Sequence, residues 1–532
     1  MKVFHKHTAI KLTVFALLAF SASVSHAQGT IADLFYGKRS LADEYFHEGN
    51  FAKALPLLES VYEKNRLAEV GIDIAQCYYH LKYYENAVAV FDRIDITDLD
   101  SASLFFYAES LLATNRHADA QRVYRQLFNI SSDTTLLRKI WQIDNLSYLF
   151  EDSLHVAIAP LPVNSTSSEL SAVPVGNGIV FASNRRQLKL IQREDARTNA
   201  PFYQLYSSAI KKDTAITDGF TYDTPIPFNH QLTEMHTGPI AMYANSQRAV
   251  ITTTRPGSKE DDSRLILEFI EKRSGRWERG ESFSWNSPSY SCMHPSITND
   301  GSRMYFASDK PGGFGGWDIY FSDFKEGAWS TPENCGEQIN TRYDELFPFI
   351  HQSGMLFFSS NGHAGLGGLD LFKANLAHAA IDVLNLGYPL NSNRDDMGFY
   401  VDSLQTHGFL SSNRLNSGLD DDLFEFDIDL QVYPLVIRGK AKMKEHGWKD
   451  STELTVLRNC EIEVIDHIRE KVVFKTMSDE DGSFSVNIPY FSKYKVRVIV
   501  NGEPQGIISL HIPKHKNIIS DHEIVIVKDL FK

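Results

Sequence analysis

The chain has 532 residues, 43% of them hydrophobic, and carries a formal charge of −14 from 53 Lys and Arg against 67 Asp and Glu. That length implies three or four domains, and that apolar content excludes a generally disordered chain. The acidic balance disfavours nucleic acid or an anionic lipid surface as the main partner.

The N-terminus reads as a secretory signal over 1–27. Lys2 and Lys6 supply positive charge, Leu12 to Phe20 is a short apolar run, and Ser25-His26-Ala27 places small residues at the cleavage-defining positions. The run is too short to span a bilayer comfortably, so the mature chain is expected to begin near Gln28, outside the cytoplasm and without a transmembrane span. No Cys follows the cleavage site, which argues against a lipid anchor there. The four cysteines, Cys77, Cys292, Cys335 and Cys460, include no CxxC pair. They read as buried thiols, with one disulfide, Cys292–Cys335, open as an alternative in an oxidising compartment.

Residues 28–152 are expected to be helical, because apolar residues recur at three- and four-residue steps without strand alternation. Phe51-x-x-Ala54, Tyr84-x-x-Ala87 and His117-x-x-Ala120 recur every 33 residues. The small Ala lets paired helices approach, and Leu58, Phe91 and Tyr124 plug the next layer. Gly49-Asn50, Lys82-Tyr83 and Asn115-Arg116 fall at turns, where Gly49 and Asn115 suit left-handed backbone. A closing helix over Thr134–Leu149 carries Trp141. This pattern resembles the tetratricopeptide repeat, which implies an α-helical solenoid. A generic helical bundle is the alternative.

Residues 153–430 are expected to form a five-bladed all-β propeller. Phe306-Ala307-Ser308-Asp309 recurs as Phe358-Ser359-Ser360-Asn361 and Leu410-Ser411-Ser412-Asn413, each 52 residues on. Asp318-Ile319-Tyr320, Asp370-Leu371-Phe372 and Asp422-Leu423-Phe424 keep the same interval. Decayed copies stand at Phe181-Ala182-Ser183-Asn184 and Ile251-Thr252-Thr253-Thr254, which makes five. Gly313-Phe314-Gly315-Gly316 and Gly365-Leu366-Gly367-Gly368 read as turns needing positive φ, with Asp318, Asp370 and Asp422 placed to accept from turn amides. Asn334-Cys335-Gly336-Glu337-Gln338-Ile339-Asn340 matches Asn385-Leu386-Gly387-Tyr388-Pro389-Leu390-Asn391, and each reads as the outer strand of a blade. The fifth copy has no such strand after Phe426. The orphan strand at 156–163 is therefore expected to complete it, closing the ring and removing its edges. A sixth, degenerate blade is the alternative. The Gly-rich turn followed by Asp resembles the TolB-type (PD40) propeller repeat.

Residues 431–532 break the interval and read as a small β-sandwich. Strands are expected at Val436–Lys440, Glu461–Ile465, Val472–Thr476, Ser483–Val486, Tyr494–Val498 and Glu523–Val527, with Asp481-Gly482 as a turn. Thr476 to Phe484 is similar to the phrase of carboxypeptidase-regulatory-like domains, a resemblance that implies no peptidase chemistry.

Signatures of chemistry are missing from the sequence. There is no GxSxG, no HExxH and no paired CxxC. Gly312 to Gly316 lacks the Lys-Ser/Thr of a phosphate loop. His294, His351 and His363 lie near turns and read as packing or capping residues. Asp420-Asp421-Asp422 has a calcium alternative but reads as a solvated turn. Trp285, Trp317 and Trp329 read as inter-blade core rather than glycan-stacking surfaces. Hence no catalytic, cofactor-binding or metal residue is assigned, and no cofactor is expected.

The module order is similar to that of PorE-like envelope proteins of the OmpA family, associated with type IX secretion and gliding. The resemblance implies a non-enzymatic periplasmic or outer-membrane-associated scaffold with envelope proteins as partners. In those relatives an OmpA-like peptidoglycan-binding domain follows the sandwich, whereas Lys532 ends this sequence. Direct peptidoglycan binding therefore does not carry over, and a shortened paralogue or a truncated reading frame are both open. A periplasmic glycan or small-ligand receptor using the propeller mouth is the alternative function.

Overall fold

The computed structural model describes residues 37–150, 153–186, 194–212, 220–229, 236–254, 264–376, 381, 383–415, 418–428, 436–446, 454–466, 471–487, 493–511 and 519–529. The expected signal segment lies outside the described residues. Two compact units emerge, one of residues up to Leu111 with Glu194–Ala200, the other of Leu112–Arg193 with Pro201 onward.

Seven α-helices stand among the described residues: α1 Lys38–His47, α2 Phe51–Asn65, α3 Ala68–His80, α4 Tyr84–Phe91, α5 Ser101–Ala113, α6 His117–Ser131 and α7 Thr135–Asp144. The 33-residue marker opens a helix each time, at Phe51, Tyr84 and His117. Ala54, Ala87 and Ala120 are fully buried, as are Leu58, Phe91 and Tyr124. Before each of these helices the chain turns through a left-handed residue, Gly49, Lys82 and Asn115, with φ of 75°, 64° and 60°. Lys82 was not singled out by residue type; it adopts the conformation against its Cβ because the turn geometry demands it. In the first unit, Ala52 N–H also donates to the Arg197 carbonyl at 3.1 Å.

Compactness divides the chain at 111/112 rather than at 152/153, where secondary-structure type changes. The reason lies within the second unit. Asn393 Nδ2 donates to the Ala113 carbonyl at 2.8 Å, and Gln142 Nε2 on α7 donates to the Gly365 carbonyl at 2.5 Å. Tyr388 N–H donates to Leu149, and its ring lies 5.1 Å from that of Phe150. Ala113, α7 and the stretch after α7 are thus bonded to the sheets that follow them. Trp141 on α7 is exposed and does not serve as a core plug.

Five antiparallel sheets follow. The first contains Glu169–Val175, Gly178–Ser183, Gln204–Lys212 and Phe220–Tyr222; the second Thr237–Tyr243, Arg248–Thr254, Leu265–Arg273 and Arg276–Ser282. The third contains Cys292–Ile297, Arg303–Ser308, Asp318–Lys325 and short outer strands at Ala328–Trp329 and Glu333–Asn334. The fourth contains Glu345–Ile350, Met355–Ser360, Asp370–Asn375 and Val383–Asn385. The fifth contains Asp396–Val401, His407–Ser412, Asp422–Ile428 and, from far upstream, Val156–Pro160. That last pairing runs antiparallel with Val156 opposite Ile428 and Pro160 opposite Phe424, as the orphan-strand reading required. The first strands touch in cyclic order, first to second through fifth and back to first.

One side-chain device recurs in four of the sheets. Asn340 accepts from Ile319 N–H at 2.8 Å and donates to the Ile319 carbonyl at 2.9 Å. Asn391 does the same to Leu371, at 2.7 and 2.9 Å, and Asn286 to Leu267, at 3.0 and 2.8 Å. Asn164 does it to Leu423, at 2.9 Å both ways, from across the closure. The four clasped residues, Leu267, Ile319, Leu371 and Leu423, stand 52 apart. The amide of Asn carries one donor and one acceptor in the spacing of a peptide, so it extends the sheet where the strand has ended. The phrases beginning at Asn334 and Asn385 are accordingly strand only at their first residues. The rest is a turn that delivers the clasp.

The Gly-rich turns need their glycines for a different reason from the one expected. Of Gly313, Gly315, Gly316, Gly365 and Gly367 none has positive φ; among the turn residues only Gly312 does, at 93°. A Cβ on Gly315 would strike the carbonyls of Thr341 and Tyr343, and one on Gly367 would lie 2.5 Å from backbone of Asn393. The constraint is close approach of the next sheet's loop. The turn Asp behaves as read: Asp318 accepts from Phe314 N–H at 2.6 Å and Gly315 N–H at 3.1 Å, and Asp370 from Gly367 N–H at 3.0 Å.

All four cysteines are free thiols, which corrects the disulfide alternative. Cys292 lies on the first strand of the third sheet and Cys335 just past its outer strand Glu333–Asn334. Three strand spacings separate such positions by roughly 14 Å, beyond the reach of a disulfide. After the ring, two four-stranded sheets form. One holds Val436–His446, Leu454–Val456, Ser483–Asn487 and, parallel to the first, Ile519–Asp529. The other holds Glu461–Asp466, Lys471–Met477, Lys493–Val500 and Glu503–His511. Ala441, Phe484 and Val486 of the former share a buried cluster with Ile462, Val464, Tyr494 and Val496 of the latter. No helix among the described residues is long and apolar enough to cross a membrane.

Candidate functional site

Each first strand carries one residue with left-handed backbone: Ser171, Gly238, His294, Phe347 and Gly398, with φ of 53°, 109°, 53°, 49° and 61°. The strand register slips at the same place in all five, so each is a bulge. The bulges turn the strands about a common axis and leave a cavity of about 240 Å3 between them, lined by residues of every first strand.

Neighbouring sheets stitch this collar together. Ser171 N–H donates to Ser411 Oγ at 2.9 Å, His294 N–H to Thr252 Oγ1 at 2.9 Å, and Ile350 N–H to Ser296 Oγ at 2.8 Å. Phe347 N–H donates to His294 Nδ1 at 3.4 Å, and the two rings stack with centroids 3.7 Å apart. That bond puts the proton of a neutral imidazole on Nε2. Burial lowers the His294 pKa to about 3, so the ring is uncharged at neutral pH. Phe349 and Tyr400 form an aromatic pair, 5.2 Å between centroids, on another part of the wall.

The cavity-lining residues include no Asp, Glu, Lys, Arg or Cys. Glycoside hydrolysis in its common form needs two flanking carboxylates, and none is present at this wall. Ser296 and His294 do not make a nucleophile and base. Ser296 Oγ is occupied by Ile350 N–H, and a His titrating near 3 is a poor general base at neutral pH.

The carboxylates instead sit at the heads of first strands, away from the axis. Glu169 accepts from Ser165 Oγ, Ser183 Oγ and Arg185; Asp396 accepts from Ser392 and pairs with Arg414 at 2.5 Å. Glu345 accepts from Thr341 N–H at 2.7 Å, Thr341 Oγ1 at 2.8 Å and Ser360 Oγ at 2.7 Å. The residue two past the strand-end Ser is Arg185 and Arg414 in the sister sheets but Gly362 here. The ring of His363 takes that place. It packs on Phe358 and Phe372, and its Nε2 lies 2.8 Å from the Ile339 carbonyl, but no salt bridge to Glu345 results. Burial raises all three acids, and pushes Glu345 up to about 8.

His294 is on a strand at the axis, not at a turn, which corrects that reading; Pro295 beside it, matched by Pro239 and Pro348 in two other first strands, was the available signal. His351 caps a loop through Ser353 Oγ at 2.8 Å and the Asp402 carbonyl at 3.1 Å. Asp422 is buried and paired in register opposite Ser412, so it is a sheet residue rather than part of a solvated turn. Among the described residues no cluster of His, Cys, Asp and Glu could hold a metal ion. Gly312 to Gly316 is a turn bonded to Asp318. Trp329 packs on Phe269 and Phe324, and Trp285 Nε1 donates to the Trp329 carbonyl at 3.1 Å. Asn164 and Asn286 were missed because their neighbours do not repeat the phrase around Asn340.

No family model and no curated protein matches the chain. Among solved structures it is similar to a putative TolB from Agrobacterium tumefaciens at 9% identity, covering 65% of this chain and 99% of that one, with a TM-score of 0.31. It is similar to TolB from Acinetobacter baumannii at 12% identity, covering 58% and 71%, with a TM-score of 0.27. An exo-β-1,3-galactanase from Clostridium thermocellum matches at 11% identity, covering 65% and 82%, with a TM-score of 0.33.

Proposed function

We propose that the chain is a non-enzymatic cell-envelope scaffold built from a tetratricopeptide-like helical region, a five-bladed propeller and a carboxypeptidase-regulatory-like sandwich. The observation that carries this reading is where the ring uses its polar residues. The Asn clasps, the turn Asp residues and the buried acids each hold backbone in place, and the shared axial cavity holds no charged group. Repeated surfaces of this kind serve recognition, and partners are expected among envelope proteins of secretion or gliding machinery. The periplasm, with or without outer-membrane association, is the expected compartment, on the strength of the N-terminal signal pattern. Crosslinking in the native envelope followed by mass spectrometry tests the role. Recovery of a defined protein partner supports it; recovery of none, together with turnover of ester, peptide or glycoside panels by the purified chain, overturns it.

A second reading, a small-ligand or glycan receptor, is favoured by the cavity itself, with its aromatic pair and polar Ser171 and His294. Ligand binding lost when cavity residues are altered distinguishes it from the first.

A further inference from the structure

We propose that the axial cavity binds a compact organic cation, an ammonium or guanidinium group, supplied either by a side chain of a docked protein or by a free small molecule. The inference goes beyond the scaffold reading and does not depend on it.

The backbone of the wall has had its donors withdrawn. A first strand is an inner edge, and the groups it turns away from its partner strand are N–H and C=O in alternation. Pro239, Pro295 and Pro348 carry no N–H, and all three line the cavity. The N–H groups of Ser171, His294, Phe347 and Ile350 are each taken by a side chain of the neighbouring sheet, Ser411, Thr252, His294 and Ser296 respectively. What those stretches offer the axis is carbonyl oxygen.

The side chains agree with the backbone. Phe349 and Tyr400 are partly buried and line the cavity, and aromatic faces carry the negative potential that attracts ammonium and guanidinium groups. The lining carries no Lys or Arg, and its one imidazole is neutral, so nothing there repels a cation. An anion would find few donors, and a sugar ring would need donors and acceptors in comparable number. The charge of −14 over the whole chain raises the local concentration of cations.

The test uses the full chain, saturation-transfer NMR and calorimetry, with choline and N-acetylarginine amide as probes and glucose and acetate as controls. Both cations are expected to bind saturably, and the controls not. Met242→Lys, on the cavity wall, should weaken both by at least about tenfold through like charge. Tyr400→Leu should weaken them about two- to fivefold. Thermal melting of each variant reports folding, and Tyr400→Leu carries the test if Met242→Lys fails to fold. Tighter binding of N-acetylarginine amide assigns the group to a protein side chain; tighter binding of choline assigns it to a free molecule. Failure of both cations to saturate, binding no better than glucose, or cation binding unchanged in folded variants overturns the proposal.

Discussion

Replacing Glu345 by Gln should change how stability depends on pH. Glu345 is fully buried, and burial pushes its pKa up to about 8, although three donors from Thr341 and Ser360 favour the charged form. In the unfolded chain the same carboxyl titrates near its ordinary value of 4.5. The folded state therefore holds a proton that the unfolded state has lost over the interval between those values. Stability then falls as pH rises from about 4.5 and levels off above about 8, with a steepest slope of about 1.4 kcal/mol per pH unit. The span sets a ceiling of about 5 kcal/mol, which hydration of the site should reduce to about 2–4 kcal/mol. In the Gln variant the Thr341 N–H can still donate to the amide oxygen and the Thr341 hydroxyl can rotate to accept from the amide N–H, while Ser360 Oγ keeps its bonds from Gly362 and His363 N–H. Urea unfolding from pH 5 to 8.5 is the assay. The two proteins should be close in stability at pH 5, with the variant the more stable at pH 8.5. Part-buried Asp344 next in sequence also titrates upward through desolvation, but it is common to both proteins. Parallel curves across the whole interval would refute the reasoning that an acid here lacks its cation.

The neighbouring sites give two sharper contrasts. Arg414→Met should cost about 3–5 kcal/mol near neutral pH by urea unfolding, because it strands Asp396 buried and unpaired, whereas exposed Arg248→Met should change stability by less than about 0.5 kcal/mol. Asn164→Ala should cost about 1–3 kcal/mol by leaving Leu423 N–H unsatisfied, and Asn286→Ala should cost about the same at Leu267. A negligible effect at Asn164 beside a full effect at Asn286 would mean that the clasp across the closure does not form.

Much of the fold was legible because its constraints are local and recur. The Phe-x-Ser-Asn and Asp-Leu-Phe phrases mark second and third strands, and their common interval puts the sheets in order. Phe51, Tyr84 and His117 each open a helix because the short turn before them recurs. What could not be read is set by contacts between segments distant in sequence. The glycines of the turns answer to the loop of the next sheet, a contact that the local residue pattern does not carry. The division at 111/112 depends on bonds such as Asn393 to Ala113, which no local pattern announces. The axial collar was the least legible feature. Its members are a Ser, two Gly, a His and a Phe, alike in backbone angle but not in residue type. The missing cation beside Glu345 could have been noticed, since Gly362 stands where the sister sheets have Arg.

The ring's closure by an upstream strand is most directly tested with paired cysteines at Val156 and Ile428, which face each other across the register. Opposed positions in an antiparallel pair lie within disulfide reach. Mild oxidation of the folded chain should join these two residues, as read by peptide mass spectrometry, and the bond should raise the midpoint of unfolding. A folded chain in which 156 and 428 stay unlinked, or link only after denaturation, would contradict a ring closed in this way.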